Sequence, residues 1–421
     1  MRKTEHRRSR RLLLPLFFTV FLDLLGLGIA IPVLAAVLLT PNVGIVSVET
    51  TFSMRTILYG LLVASFPLAQ FFGAPILGAL SDKYGRKKII LLSLAGTLLG
   101  YMLFATGIIQ QNLILLFVSR VLAGFTGGNV SITLSAIADI SKGEKEKTRN
   151  FSLVGVAFGL GFILGPFFGG KLADPSVLPW FSPAIPFWFA ALLTAANMLL
   201  FLLIFRETWT GDRPQTRLSF LTGARNIRAA FRLPNLRTIF LVIFLLTFAF
   251  NLLIQFFQVF VIRQFGFTES DIGNTFAYIG IWGAFSQWLA IRLASRNFRP
   301  SKVLLFSIFV LGVATPLLVL PTTPAPIFLI LPFIAIFQGL TLPNMTTIVS
   351  NLSGEESQGE AMGIHQSLQS LGQAIPPLMA GFIASVSISS PILLSGAVTL
   401  LAGLIFLLAY RDGRKEIFHE V

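Results

Sequence analysis

Two charged side chains, Asp23 and Arg120, lie deep inside long apolar runs of this chain. A charge at the centre of a membrane costs roughly 2.5–3.5 kcal/mol on insertion scales, so each side chain should face a helix bundle or a cavity. Because apolar surroundings disfavour an ionised carboxylate, Asp23 is a candidate proton carrier. The alternative interpretation is a packing residue that is permanently paired with a base.

The two apolar runs that hold these residues, 12–39 and 113–139, should cross a membrane in opposite directions. At a helical rise of ~1.5 Å per residue, Asp23 lies ~16 Å from the inner edge and Arg120 ~11 Å from the outer edge of a core of ~30 Å. Both residues should therefore lie at nearly the same depth. We hypothesise that they pair, and that protonation of Asp23 loosens the pair. The looser pair would shift the equilibrium between the two states in which the site is open to one or the other side of the membrane. A purely structural ion pair is the alternative.

A second charged feature is a short hairpin between two apolar runs, Gly78-Ala-Leu-Ser-Asp82-Lys83-Tyr-Gly85-Arg86-Lys87-Lys88. Asp82 can reach Arg86 on the adjoining helix end, and a carboxylate near a helix N-terminus is stabilised by about 0.3–1 kcal/mol. The pattern predicts a latch on the cytoplasmic side. The alternative is that the bases only orient the chain in the membrane.

Glycine and amide side chains mark two further helices. Gly161, Gly165 and Gly169 recur at four-residue spacing, which permits close helix contact, and Pro166 should bend the outer end of the same helix. In the second half of the chain, amides replace charges. Because an unpaired amide in hydrocarbon is costly, these amides should line a substrate cavity or a helix interface. The candidate cavity residues are Asn251, Gln255, Gln338, Asn344, Gln366, Gln369 and Gln373.

The composition places these residues in a membrane protein. Apolar residues make up 54% of the 421 residues and charged residues only 12%, which is too little charge to cover a soluble protein of this size. The net charge of +14 lies in short loops, so nucleic acid is not expected as a partner. The chain has no cysteine, and no metal site, cofactor or catalytic motif is predicted; we do not expect an enzyme.

Apolar runs of membrane length predict an all-α fold with twelve transmembrane helices. Nearly all of the 32 lysines and arginines fall in the two tails and in the loops after every second run, so both termini should be cytoplasmic. The central loop 206–237 separates two predicted six-helix bundles, 1–205 and 238–421. The predicted spans are 12–39, 56–80, 89–109, 113–139, 151–172, 186–205, 238–262, 271–293, 303–320, 327–350, 361–385 and 390–410.

The two bundles should be related by an internal repeat. One constant offset places Gly161, Pro166 and Gly170 on Gly372, Pro377 and Gly381, and a similar offset places Gly124 and Asn129 on Gly339 and Asn344. The charged hairpin has a weak counterpart at 293–299, where Ser295 replaces the acid. A duplication therefore accounts for the pseudo-symmetry, with the latch in the first half.

These motifs resemble those of the major facilitator superfamily, in particular its drug:proton antiporter branch. The hairpin matches the signature loop of the superfamily at Gly78, Asp82, Lys83, Gly85, Arg86 and Lys87. The stretch around Asp23 resembles the branch's span-1 motif, Arg120–Gly128 its span-4 motif and Gly161–Gly170 its antiporter motif. The stretch Ala136-Ile-Ala-Asp139-Ile, which closes span 4, resembles the same stretch in the tetracycline-efflux subgroup.

The resemblance implies two pseudo-symmetric bundles that alternate around a midplane site. It adds Asp139 and the start of span 11 as neighbours of the hairpin. It also implies proton-coupled efflux of amphipathic organic compounds, in a bacterial inner membrane and as a monomer. A facilitator or proton symporter for a small metabolite in the same fold is the first alternative, and a membrane enzyme or sensor is a second, poorly supported one.

Overall fold

A computed structural model describes residues 2–39, 45–141, 144–208, 234–287, 298–352 and 358–411. Within these ranges the chain is built from thirteen α-helices, and the described residues contain no strand. The helices are α1 (Arg2–Leu39), α2 (Phe52–Tyr84), α3 (Arg86–Ile109), α4 (Leu113–Thr126), α5 (Asn129–Ile140), α6 (Glu144–Ala173), α7 (Ile185–Ile204), α8 (Pro234–Phe265), α9 (Glu269–Phe285), α10 (Pro300–Leu317), α11 (Ile327–Leu352), α12 (Gln358–Val386) and α13 (Ser390–Arg411).

The helices agree with the predicted spans. Each span overlaps one helix, except that span 4 is divided between α4 and α5. Ten of the described stretches are long and apolar enough to cross a membrane. The two predicted spans outside that set correspond to α9, which has only 17 residues, and to the amide-bearing α12. Most of the central loop and most of the hairpin at 293–299 lie outside the described residues.

The break in span 4 falls at Gly127 and Gly128, between α4 and α5. Around it, α2 packs directly on the backbone of α4 and α5: a Cβ on Gly128 would lie 2.5 Å from Ala74 Cα. Gln70 Nε2 of α2 donates to the Gly127 carbonyl at 2.9 Å. A side-chain amide thus supplies a hydrogen bond where the helix is interrupted, which is how discontinuous membrane helices are tolerated.

The chain divides into two compact units. The first comprises Met1–Thr50, Ser65–Leu221 and Thr268–Ala277, and the second comprises Thr51–Ala64, Thr222–Phe267 and Tyr278–Val421. In the first unit α1 packs on α6 and α7, and α3 packs on α4 and α7. In the second, α8 packs on α12 and α13, and α10 packs on α11 and α13. Each unit has its own apolar core.

Glycines related by the internal repeat make equivalent contacts. Gly161 of α6 packs on α1, with a built Cβ 2.6 Å from Leu24 Cβ, and Gly372 of α12 packs in the same way on Thr247 of α8. The missing side chain of each glycine lets its helix approach the first helix of its bundle. These matched contacts support the predicted duplication.

Candidate functional site

Asp23 lies on the face of α1 that packs inside the first unit. Its side chain is half-buried, and its Oδ2 is fully buried with no hydrogen-bonding partner among the described residues. Asn129, the first residue of α5, is close enough to the Asp23 carboxyl group to influence it. Because buried polar groups are usually hydrogen-bonded, this oxygen has the capacity to bind a further partner.

Tyr101 of α3 brings the predicted acid and base together. Its hydroxyl lies against α1 at Gly26, where a Cβ would overlap the phenol oxygen. Asp23 and Arg120 both interact electrostatically with this tyrosine. Both charges therefore lie within electrostatic range of one buried phenol. A direct Asp23–Arg120 ion pair stays a prediction.

Arg120 is held by its surroundings on α4. Its side chain is buried, and its guanidinium carbon lies 4.7 Å from the centroid of the Phe66 ring of α2. A cation over an aromatic face gains roughly 0.5–2 kcal/mol, more when it is desolvated. Phe66 therefore stabilises a charge that the membrane would otherwise disfavour, and it orients the guanidinium within the first unit.

Asn129 and Thr133 add polar groups to the same region. Both are fully buried on α5, and neither the Asn129 amide nor the Thr133 hydroxyl has a hydrogen-bonding partner at normal distance in the described chain. Unsatisfied buried groups each cost about 1–3 kcal/mol, so their retention needs a reason. We refer to Asp23, Tyr101, Arg120, Asn129 and Thr133 as the polar cluster.

The predicted hairpin is organised around the buried Arg86, which is only 3% exposed. Its Nη2 contacts Asp82 Oδ1 at 2.7 Å, and its Nε contacts Asp139 Oδ2 at 3.5 Å. Its Nη1 also donates to Ser81 Oγ. The Asp82–Arg86 contact and the place of Asp139 beside it both follow the prediction. The side chains at the start of span 11 lie outside the described residues.

The carboxylate that caps α3 is Glu207, which the sequence analysis did not single out. Its two oxygens accept from the backbone N–H groups of Arg86 at 2.9 Å and Lys87 at 3.1 Å. Gly85 makes room for this cap: its φ of 99° and ψ of 150° are open essentially only to glycine. The helix N-terminus is thus stabilised by an acid from the end of α7, and Asp82 binds Arg86 instead.

The glycine strip of α6 packs against the part of α1 that carries Asp23. A Cβ on Gly165 would lie 2.7 Å from the Leu25 carbonyl oxygen, and one on Gly169 would lie 2.7 Å from that of Ile29. Gly170 instead faces the start of α9. Pro166 is part of the same contact, because a Cβ on Gly28 would lie 2.6 Å from its Cδ. The strip therefore sets the position of Asp23 by direct backbone contact.

The predicted cavity amides lie in the second unit, and three of these residues have hydrogen bonds. The Asn251 and Asn344 amides donate to carbonyls one turn earlier in their own helices, at 2.9 and 2.6 Å. The backbone carbonyl of Gln255 accepts from the Tyr59 hydroxyl at 2.6 Å. The remaining members of the set with described side chains, Gln338, Gln369 and Gln373, are half-buried, and the Gln366 side chain is not described. Their role as a substrate cavity stays a prediction.

Comparison with known proteins identifies the family. A sequence model of the Major Facilitator Superfamily matches residues 16–335 and, in a second match, residues 292–418. The chain belongs to this superfamily. The fold and the resemblance predicted from the motifs are thereby confirmed.

Several relatives are drug-resistance proteins. The chain is 30% identical to a class H tetracycline resistance protein of Pasteurella multocida, over 97% of both chains. It is 31% identical to the class E tetracycline resistance protein of Escherichia coli, over 87% of this chain and 86% of the relative. It is 28% identical to the quinolone resistance protein NorA of Staphylococcus aureus, over 96% and 97% of the two chains.

Solved structures show the same fold at lower identity. The crystal structure of the human organic anion transporter MFSD10 matches with a TM-score of 0.69 and 24% identity, over 94% of this chain and 99% of that one. A bacterial homologue of the lysosomal transporter Spinster matches with a TM-score of 0.73 and 18% identity, over 96% and 97% of the two chains. Superfamily membership makes this chain a multi-span membrane protein.

Four members of the site were missed from sequence: Tyr101, Asn129, Thr133 and Glu207. Tyr101 is one of several hydroxyl residues in an apolar span, and Glu207 is an acid in a polar segment after another span, so neither stands out locally. Asn129 did carry a signal, since it follows two glycines and recurs as Asn344 in the repeat. Its place beside Asp23 depends on the packing of α5 on α1, which one sequence does not show.

Proposed function

We propose that this protein is a secondary transporter that exports amphipathic organic compounds in exchange for protons. The observation that carries the proposal is the polar cluster around Asp23, a half-buried acid whose buried Oδ2 has no hydrogen-bonding partner among the described residues. The relatives of this chain include tetracycline and quinolone resistance proteins. The protein moves its substrate without changing it chemically. The substrate class is carried over from the relatives' names and from the apolar character of the spans.

The residues of the cluster have separate roles in this proposal. Asp23 takes up and releases the proton. Arg120 provides the opposing charge and is held over the Phe66 ring. Tyr101 is influenced electrostatically by both Asp23 and Arg120. Protonation removes the negative charge that faces Arg120, so it weakens their attraction and changes the relative energy of the two access states. The substrate then binds near mid-membrane, next to the polar cluster.

The hairpin acts as a latch in the same cycle. Arg86 is buried with Asp82 and Asp139 around it, and removing one partner from such a group leaves an uncompensated charge. We infer that this group holds the cytoplasmic ends of α2, α3 and α5 in one arrangement. The distribution of lysine and arginine supports cytoplasmic termini and an inner-membrane location. One chain carries the whole cluster, which supports a monomer as the working unit.

Transport into proteoliposomes with an imposed pH gradient tests the proposal. With an acidic lumen, tetracycline or a quinolone should accumulate against its concentration gradient, and Asp23→Asn should reduce accumulation to background. Glu49→Gln, which changes an exposed acid, is the matched control and should retain activity. Equilibration that ignores the pH gradient would point to a facilitator, and accumulation only under the reversed gradient would point to a symporter.

A further inference from the structure

A second charged cluster lies where the end of α6 meets the first turn of α9, within the first unit. Lys171 Nζ donates to Ser270 Oγ at 2.7 Å. Asp174, directly after α6, is only 4% exposed although it is a carboxylate, and Glu269 is half-buried beside it. The predicted topology places this cluster on the side opposite the cytoplasmic hairpin. Nothing in the proposed proton site at Asp23 uses these residues.

Close backbone packing brings together the ends of α6 and α9 that carry the two acids. A Cβ on Gly170 would lie 2.9 Å from Gly273 Cα, and a Cβ on Gly273 would lie 2.7 Å from the Pro166 carbonyl oxygen. Because α6 and α9 touch through glycine, the residues that follow Gly170 and precede Gly273 have little freedom to separate. The segments that carry the acids therefore stay close to each other for as long as this contact persists.

Asp174 keeps its charge in this position. Its Oδ1 accepts from the Ser176 amide at 2.8 Å, while its buried Oδ2 has no partner at hydrogen-bond distance in the described chain. Burial raises the pKa of Asp174, but bonds from Ser176 and the influence of Thr268 and the Ser270 amide outweigh burial, and the net pKa is lowered. Asp174 is therefore negatively charged, and its Oδ2 can accept a further hydrogen bond.

Glu269 is shifted in the opposite direction. Burial raises its pKa, its own backbone amide opposes this change, and the Asp174 carboxylate raises the pKa further. The other charged groups at this contact are Lys171 and Asp271. Asp271 is exposed and accepts from the Thr268 amide and hydroxyl at 3.0 Å, so it serves to cap α9.

The equivalent contact in the other unit holds together without acids. The offset that pairs Gly170 with Gly381 pairs Asp174 with Ser385, and the offset that pairs Gly273 with Gly60 pairs Glu269 with Thr56. There, Gly60 packs on the Pro377 carbonyl and on Gly381, and Ser53 donates to the Ser385 carbonyl at 3.1 Å. A crossing of this geometry therefore needs no carboxylate, and the acids at Asp174 and Glu269 call for another role.

We propose that Glu269 and Asp174 form a second proton-binding site, in which one proton taken from water and bound between the two carboxyl groups holds the first turn of α9 on α6. When the contact separates, Glu269 is hydrated and returns the proton to water. Because the packed state raises the affinity of Glu269 for a proton, acid stabilises the contact. As pH rises from the ordinary glutamate value towards the raised one, the contact weakens.

The absence of cysteine from the chain makes a direct distance measurement practical. Spin labels at Val177→Cys and Asn274→Cys, both at exposed positions of the first unit, report the α6–α9 separation. The distance distribution should change from one short population to longer distances as pH rises from about 4 to about 9, with a midpoint above the ordinary glutamate pKa. Asp271→Asn is the matched control and should leave the midpoint unchanged.

Two variants decide the origin of the transition. Glu269→Gln should keep the short population at every pH. Asp174→Asn retains an oxygen for Ser176 but removes the charge, so it should move the midpoint down by about one pH unit. A wild-type distribution that does not respond to pH, a Glu269→Gln protein with the wild-type midpoint, or an Asp174→Asn midpoint that stays or rises would each overturn the proposal. Because no substrate is used, the result is independent of the proposed transport function.

Discussion

At the scale of single residues, the chemistry of this protein depends on buried groups whose partners come from other helices. Asp23 has Asn129 beside it and an oxygen with no hydrogen-bonding partner in the described chain. Arg120 is held by an aromatic ring, and Tyr101 lies within the electrostatic influence of both charges. Each of these groups would be costly as a mere packing residue, which is the physical reason to assign them a function.

The role of Asn129 leads to a residue-scale prediction. Asn129→Ala removes the amide beside Asp23 and should reduce pH-gradient-driven transport about tenfold, which corresponds to a loss of roughly 1.4 kcal/mol. It should also shift the pH of half-maximal rate, because the environment of the proton-carrying group changes. Rates measured across pH in proteoliposomes test this expectation.

Ser131→Ala is the matched control for that measurement, because Ser131 is exposed on the same helix. An Asn129→Ala protein with the wild-type rate and the wild-type pH profile would contradict a positioning role. A reduced rate with an unchanged pH profile would reduce Asn129 to a packing residue.

At the scale of helices, glycine determines which elements touch. Gly165 and Gly169 place α6 directly on the backbone of α1, whereas Gly155 and Gly159 of the same helix have nothing within 4 Å of a built Cβ. The spacing predicted a packing strip at Gly161, Gly165 and Gly169. All three pack on α1, whereas Gly155 and Gly159, nearer the start of α6, are exposed.

This difference predicts opposite effects of the same substitution. Gly165→Ala should destabilise the protein by about 1–3 kcal/mol, because the new methyl group meets backbone that cannot yield. Gly159→Ala should be neutral or stabilise by about 0.5–1 kcal/mol, because alanine is the better helix former and nothing obstructs it. Thermal unfolding in detergent measures both variants.

The pair also supplies its own control, since the two changes are chemically identical and lie on one helix. Equal shifts in melting temperature for the two variants would contradict the packing that we describe. Transport by the Gly165→Ala variant should fall as well, because the new methyl group would displace α1, the helix that carries Asp23.

At the scale of the whole molecule, the proposal makes protons and substrate move in opposite directions. Proteoliposomes loaded with a transported drug and diluted into drug-free buffer should show acidification of the lumen as the drug leaves. The physical reason is that an exchanger converts one gradient into the other. A pH-sensitive dye trapped in the lumen measures the change, which Asp23→Asn should abolish and Glu49→Gln should preserve.

The sign of that signal separates the alternatives. A symporter would make the lumen more alkaline as the substrate leaves, and a facilitator would leave the dye unchanged. Either result would exclude the antiport that we propose while leaving the superfamily assignment intact.

The order and the chemical nature of the helices followed from the sequence, because each depends on residues that are close together in the chain; the break in span 4 did not. Apolar runs of membrane length, interrupted by basic loops, correspond to the observed helices, and the contact between Asp82 and Arg86 joins residues one helical turn apart. The acid and the base of the proposed proton site could also be picked out from the sequence, since charges in such runs are rare.

Contacts between distant segments were decided only by the tertiary structure. Glu207 caps α3 from the segment that follows α7. Asn129 and Tyr101 lie within electrostatic range of Asp23 although they belong to other helices, and Glu269 lies within such range of Asp174. Apart from Asn129, none of these residues is unusual in its local sequence. Their significance comes from burial next to one another, and burial depends on how glycine lets the helices approach.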